Sequence, residues 1–103
     1  MNDLKLLSLL GIAQRAGKAL SGEFAIEKNI RAGKVKCLII ATDASDNTRK
    51  NYRDIAQYFN VPYFETLSKE ALSSGIGKEN RAAVAVIDLG IAGAIMKLLS
   101  ETP

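Results

Sequence analysis

Histidine and tryptophan are absent from this chain of 103 residues, and cysteine occurs once. Without imidazole the sequence lacks the commonest general base and the commonest transition-metal ligand. One thiol cannot complete the thiolate and imidazole sets that hold structural zinc. Nor can Cys37 close an internal disulfide; inside "VKCLIIA" it reads as a small buried hydrophobe in a reducing, cytoplasmic setting. No apolar run approaches the roughly 18 residues of a membrane helix. The opening stretch "MNDLKLLSLLGIAQRAGK" places Asp3 ahead of a short apolar run and lacks the basic head of an export signal. Aromatics are scarce too, three Phe and three Tyr, so extensive stacking of bases on exposed rings is not expected.

What is present is an ordinary globular composition, 48% hydrophobic and 24% charged, with no repeat and no low-complexity segment. The length suits one core, and residues 1–103 are read as a single domain. Fourteen Lys and Arg against eleven Asp and Glu give a net charge of +3 and a pI near 9.1. That balance permits an anionic partner without requiring one, so the distribution of charge matters more than its total.

Leu4, Leu7, Leu10 and Ala13, widened by Leu6 and Ile12, predict a first helix that ends at Gly17. "KALS" is a short extended piece, and Ser21 is the expected N-cap of a second helix that closes at Gly33. "VKCLIIA" has the continuous apolar character of a central strand. Tyr52, Ile55, Ala56 and Phe59 then mark an amphipathic helix whose opposite face carries Arg49, Lys50, Arg53 and Asp54. "NVPYFE" is a strand that Pro62 assigns to an edge or a strand start. "TLSKEALSSG" is a short helix capped by Thr66 or Ser68 and stopped by Gly75, and "AAVAVID" is a second buried strand. A last helix follows, with Ile91, Ile95, Leu98 and Leu99 as its inner stripe. The alternation predicts an α/β fold, a three-layer α/β/α sandwich around a four-stranded mixed sheet.

Two loops invite enzymatic readings. Asp43 and Asp46 in "TDASDN" could form a carboxylate pair for acid-base or magnesium chemistry, but a strand end that caps the next helix is the favoured role. "SSGIGKENR" at 73–81 looks like a phosphate loop until it is tested. A Walker A loop needs Gly at position 72 and Ser or Thr at 79, where this chain has Leu72 and Glu79. The dinucleotide fingerprint fails at Asn80, and the loop enters a strand where a helix is required. No cofactor and no catalysis are expected.

A better anion site lies at "SGEFAIEK". Gly22 allows close approach, and the free N–H groups of the first helical turn suit a phosphate. Lys28 and Arg31 project from the same helix, and Glu23 and Glu27 can accept hydrogen bonds from guanine N1 and N2. The competing reading is a surface helix of alternating charge. Loops at one end of such a sheet converge, however, so Lys78, Glu79, Asn80 and Arg81 are expected beside that helix start, forming one clamp.

The runs "SGEFAIEKNIRAGKVKCLIIATDAS", "NVPY" and "SSGIGKENRAAVAVID" resemble the L7Ae/L30e ribosomal-protein family of kink-turn RNA binders, and within it the bacterial YlxQ-like members. The resemblance extends from "LLGIAQRAGK" to "IMKLLS". It implies a non-enzymatic α/β/α domain that holds helix–internal loop–helix RNA through the start of the second helix and the loop before the last strand. Gly22 would lie against the RNA backbone, Lys28 would meet a phosphate or a guanine edge, and the loop at 78–81 would cover a flipped nucleotide. One departure stands out: kink-turn binders carry an Asn-Glu pair two and three residues after that glycine, where this chain has Phe24 and Ala25. The expected partners are structured RNA, with ribosomal RNA and ribosome-associated proteins among them, and the expected state is a monomer. The alternative is a protein-interaction or assembly module that docks through the third helix near Tyr58 and Tyr63.

Overall fold

A computed structural model describes residues 3–100, and in it helices and strands alternate in the predicted order. The elements are α1 (Asp3–Arg15), β1 (Ala19–Leu20), α2 (Glu23–Arg31), β2 (Cys37–Ile40), α3 (Asp46–Tyr58), β3 (Tyr63–Glu65), α4 (Lys69–Gly75), β4 (Ala83–Val86) and α5 (Leu89–Ser100). The strands form one mixed sheet in the order β1-β4-β2-β3, with β2 parallel to β3 and β4 antiparallel to both β1 and β2. Pro62 stands just ahead of β3, an edge strand, where its missing N–H interrupts no ladder.

Both central strands are buried along their whole length, which is why they read as unbroken apolar runs. Their side chains alternate between two cores. Cys37, Ile39, Val84 and Val86 pack with Leu6 and Leu10 of α1, Leu72 of α4, and Ala92 and Ile95 of α5. Leu38, Ile40, Ala83 and Ala85 pack on the other side with Ile26 and Ile30 of α2 and Tyr52 and Ala56 of α3. Each large aliphatic side chain so buried contributes about 1.5–3 kcal/mol. The result is the three-layer sandwich. Burial pushes the Cys37 thiol up to about 12, leaving it a packing residue.

Several local expectations are corrected. In α1 the buried stripe is Leu6, Leu10 and Ala13, while Leu4 and Ile12 face solvent. In α5 Ala92 and Ile95 are fully buried, and Ile91, Leu98 and Leu99 pack at the margin of the core. Helix α4 does end at Gly75, but not through left-handed backbone at that residue. A Cβ there would come within 2.7 Å of Leu7, so the small size of Gly75 lets α1 pack closely. The turn is made by Gly77 instead, at φ +66°.

The register also defines an end of the molecule. Leu20 pairs with Ala85, Ile40 with Ala83, and Ile40 again with Glu65. The exits of β1, β2 and β3 therefore lie beside the entrance of β4, gathering residues 20–23, 41–46, 65–69 and 76–82 into one rim. Hydrogen bonds stitch it: Ala41 N–H to Ala82 O at 2.8 Å, Thr42 N–H to Leu67 O at 2.9 Å, and Lys69 N–H to Asp43 Oδ1 at 2.8 Å. Leu67 adopts a left-handed φ of +66°, and its carbonyl accepts from the Thr42 hydroxyl as well.

Candidate nucleic-acid interface

The helices that begin on this rim are finished differently. Ser45 caps α3, its hydroxyl accepting from Thr48 N–H at 3.1 Å. At α4, Ser68 accepts from Ala71 N–H at 3.1 Å, and Asp43 adds the acceptor for Lys69. Thus the Asp43 carboxylate completes a neighbouring helix, and Asp46 pairs with Arg49 in its own. Among the described residues no cluster of three or more metal-ligating side chains forms.

Helix α2 begins on Gly22 rather than Ser21, with no side-chain cap. Its first intrahelical bond runs from Ile26 N–H to Gly22 O at 2.9 Å. The N–H groups ahead of it are left without a side-chain acceptor at the positive end of the helix. Neither conformation nor packing demands glycine here. Gly22 is in ordinary extended backbone at φ −84°, and an added Cβ would meet nothing within 4 Å. The absence of a side chain keeps the helix entrance open.

Charge is divided in the same way. The ion pairs among the described residues all involve α3: Arg49 with Asp46, Lys50 with Asp54 at 2.7 Å, and Arg53 with Glu65 at 3.1 Å. Lys28 and Lys78 are exposed, and among the described residues neither enters an ion pair. Lys28 lies on an outward ridge of α2 with Phe24 one turn before it. Phe24 is 81% exposed.

Glu23 and Glu27 turn toward α3. With Asn47, Thr48, Asn51 and Tyr52 they line a polar cleft of about 130 Å³. Tyr52 is 7% exposed, and its hydroxyl has no hydrogen-bond partner among the described residues. Burial, and after it the carboxylates of Glu23 and Glu27, push its phenol up to about 12. These groups are acceptors suited to a ligand that brings N–H donors.

The loop at 76–82 reaches the same rim through the β1–β4 pairing. Lys78, Glu79 and Asn80 are exposed and, with Lys69 and Ser73 of α4, line an open cleft of about 570 Å³. The loop turns twice through left-handed backbone, at Gly77 and at Asn80 (φ +54°). Arg81 is fixed by its backbone: its N–H donates to Ser73 Oγ at 2.7 Å, and its carbonyl accepts from the same hydroxyl at 3.3 Å. Its side-chain Nε is buried without a partner.

The rim therefore brings together Gly22, Glu23, Lys78, Glu79, Asn80 and Arg81, with Glu27 and Lys28 about one turn farther along α2. It does not include Arg31. That residue ends α2, eight residues beyond Glu23 and about 12 Å along the axis, and its guanidinium lies 5.7 Å from the Phe59 ring centroid, holding α2 against the end of α3. Sequence reasoning missed Tyr52 and Ser73 as site residues, because each serves the rim only through partners distant in sequence. Phe24 carried a usable signal: it falls outside the Ile26 and Ile30 stripe, so it had to face solvent.

Residues 5–94 match the ribosomal protein L7Ae/L30e/S12e/Gadd45 family. The chain is 41% identical to the RNA-binding protein YlxQ of Bacillus subtilis (strain 168) over 99 residues, covering 96% of this chain and 99% of that protein. Identity to the RNA-binding protein YlxQ of Enterococcus faecium is 38% over 98 residues, or 95% of this chain and 94% of the relative. Among solved structures, a protein of unknown function from Bacillus halodurans C superposes with a TM-score of 0.88 at 32% identity, covering 93% and 97% of the two chains. The Giardia lamblia 15.5kD RNA binding protein shares the fold, with a TM-score of 0.80 at 23% identity over 95% of this chain and 87% of that one.

Proposed function

Because the chain belongs to the ribosomal protein L7Ae/L30e/S12e/Gadd45 family, we propose that it is an RNA-binding protein that grips structured RNA on the rim between α2 and the 76–82 loop. It acts by binding rather than catalysis, as one domain over residues 1–103, monomeric and cytoplasmic, on ribosomal RNA or RNA of kink-turn shape. The observation that carries this reading is the open entrance of α2. A helix start without a side-chain cap and a glycine the fold does not require lie at the end of the sheet where β4 begins, with the unpaired Lys28 farther along the same helix.

Phosphates meet the free N–H groups of α2 and the ammonium groups of Lys28 and Lys78, which supplies affinity and orientation. Glu23 and Glu27 accept from base edges, and the 570 Å³ cleft between α4 and the loop accommodates a nucleotide turned out of the helix. Shape selectivity follows from the fixed spacing of the two segments, which the Ser73 bonds to Arg81 maintain. With Phe24 and Ala25 in place of an Asn-Glu pair, tandem sheared G·A pairs are not the feature that the helix start reads best.

The test is binding of the purified protein to a kink-turn RNA, a bulged hairpin and a plain duplex across a salt series. About four neutralised phosphates give a log–log slope near −3 to −4. Tagged protein drawn from lysate at low and high salt, followed by sequencing of attached RNA, names the natural target. A complex that is insensitive to salt, contains protein and no RNA, and forms through the exposed Tyr58 would replace this reading with the assembly-module alternative.

A further inference from the structure

We infer that Phe24 is a stacking platform for an unpaired guanine, so that the RNA this rim prefers carries an extrahelical or single-stranded G beside the phosphates held by α2. The inference rests on the RNA-binding reading above and adds a base identity to it.

A single exposed apolar side chain is common and means little by itself; Leu4 and Leu89 are exposed on other faces. What distinguishes Phe24 is its flanks. It stands, largely exposed, in the first turn of the helix whose entrance lacks a side-chain cap. Glu27 and Lys28 follow at i+3 and i+4, one turn along and on either side of the ring. An unpaired base lying on that ring reaches both, with its edge toward the carboxylate and its phosphate toward the ammonium.

The flanks also choose the base. Guanine offers two adjacent donors, N1–H and the N2 amino group, which match the two oxygens of one carboxylate. Adenine and cytosine place an acceptor beside their amino donor, and uracil flanks its one N–H with carbonyls, so each meets the carboxylate with repulsion as well as attraction. The cleft next to Glu27 is also lined by Tyr52, whose hydroxyl has no hydrogen-bond partner among the described residues and is open to a purine edge. Stacking on an aromatic ring and reading of the Watson–Crick edge is the usual way proteins recognise unpaired RNA bases.

The test uses hairpin RNAs that differ only in one extrahelical nucleotide, G, A, U or C. The wild-type protein is expected to bind the G hairpin about tenfold more tightly than the others. Phe24→Ala should lower that affinity about tenfold, the usual scale of one stacked base, without changing the salt slope, and Phe24→Trp should restore it. Glu27→Gln should erase the preference for G over A. Position 24 is exposed, so these proteins should fold like the parent, as circular dichroism would register. A Phe24→Ala protein that holds the G hairpin like the parent, or a parent indifferent to the four hairpins, overturns the inference while salt-dependent RNA binding stands. Failure of the parent to bind any of the RNAs overturns both.

Discussion

Helix α3 opens on Ser45, whose hydroxyl occupies an N–H of its first turn, and its arginines and lysine are all paired with carboxylates. Helix α2 opens beside it on Gly22 with no such acceptor, and Lys28 has no carboxylate partner among the described residues. Both helices pack on the same face of the sheet and share one hydrophobic core. The difference therefore does not arise from the demands of folding. One entrance is satisfied internally, and the other keeps its donors and charge available. Similar composition thus gives an internally satisfied surface in one place and an open, unpaired edge in the other.

The largest effect expected from breaking this contrast is on RNA affinity. Replacing Lys28 and Lys78 together by alanine should weaken binding about tenfold or more and reduce the salt slope by about two, the share of two phosphate contacts. Lys50→Ala, made in the paired helix, serves as the control in the same titration and should leave affinity within about twofold. Parent-like binding by the double variant would remove the charge contrast as an explanation.

Alkaline pH probes the boundary between the two helices. The Tyr52 phenol is raised to about 12 in the folded protein against an ordinary value near 10. The folded state thus holds a proton that the unfolded chain releases first. Stability is unaffected below pH 10 and falls as pH rises from 10 toward 12, by up to about 2–3 kcal/mol. Changing Glu23 and Glu27 to glutamine should lower the Tyr52 transition, leaving the part due to burial; ultraviolet titration of the phenols measures it.

The caps supply smaller and opposite effects. Ser45→Ala should cost about 1 kcal/mol in urea unfolding and leave RNA affinity unchanged. Gly22→Asp gives α2 the acceptor it lacks, so it should add a few tenths of a kcal/mol to stability while weakening RNA binding, because a carboxylate then occupies the place of a phosphate. A variant improved in both respects would show that the open entrance has no role in binding. Smallest of all is loss of the exposed Lys50–Asp54 pair, about 0.3–0.5 kcal/mol by thermal unfolding.

The order of elements and the two faces of the sheet were legible because they follow from periodicity. The apolar run around Cys37 and Ile40 and the stripe through Tyr52 and Ala56 can be satisfied in one way only. The start of α2 was misplaced by one residue, since Ser21 is the better cap by preference and only the β1–β4 pairing decides where the strand yields to the helix. The helix end at Gly75 is legible, but its packing role is not, because the approach of Leu7 is a contact between distant segments. Of the candidate site, the residues that share the rim were recoverable from motif and alternation. Arg31 was not separated from them, since one helical turn of sequence spacing does not reveal that Phe59 holds its guanidinium. Phe24 was noticed as a departure from a pattern; its exposure is what makes it a candidate contact.

Both outer strands of the sheet are very short, β1 with two residues and β3 with three, and Pro62 blunts the start of the second. A second chain therefore finds almost no free ladder along which to extend the sheet. High local concentrations should not seed fibrils through edge pairing. The buried apolar runs of β2 and β4, the segments most prone to such assembly, are shielded within the sheet by neighbours too brief to recruit others.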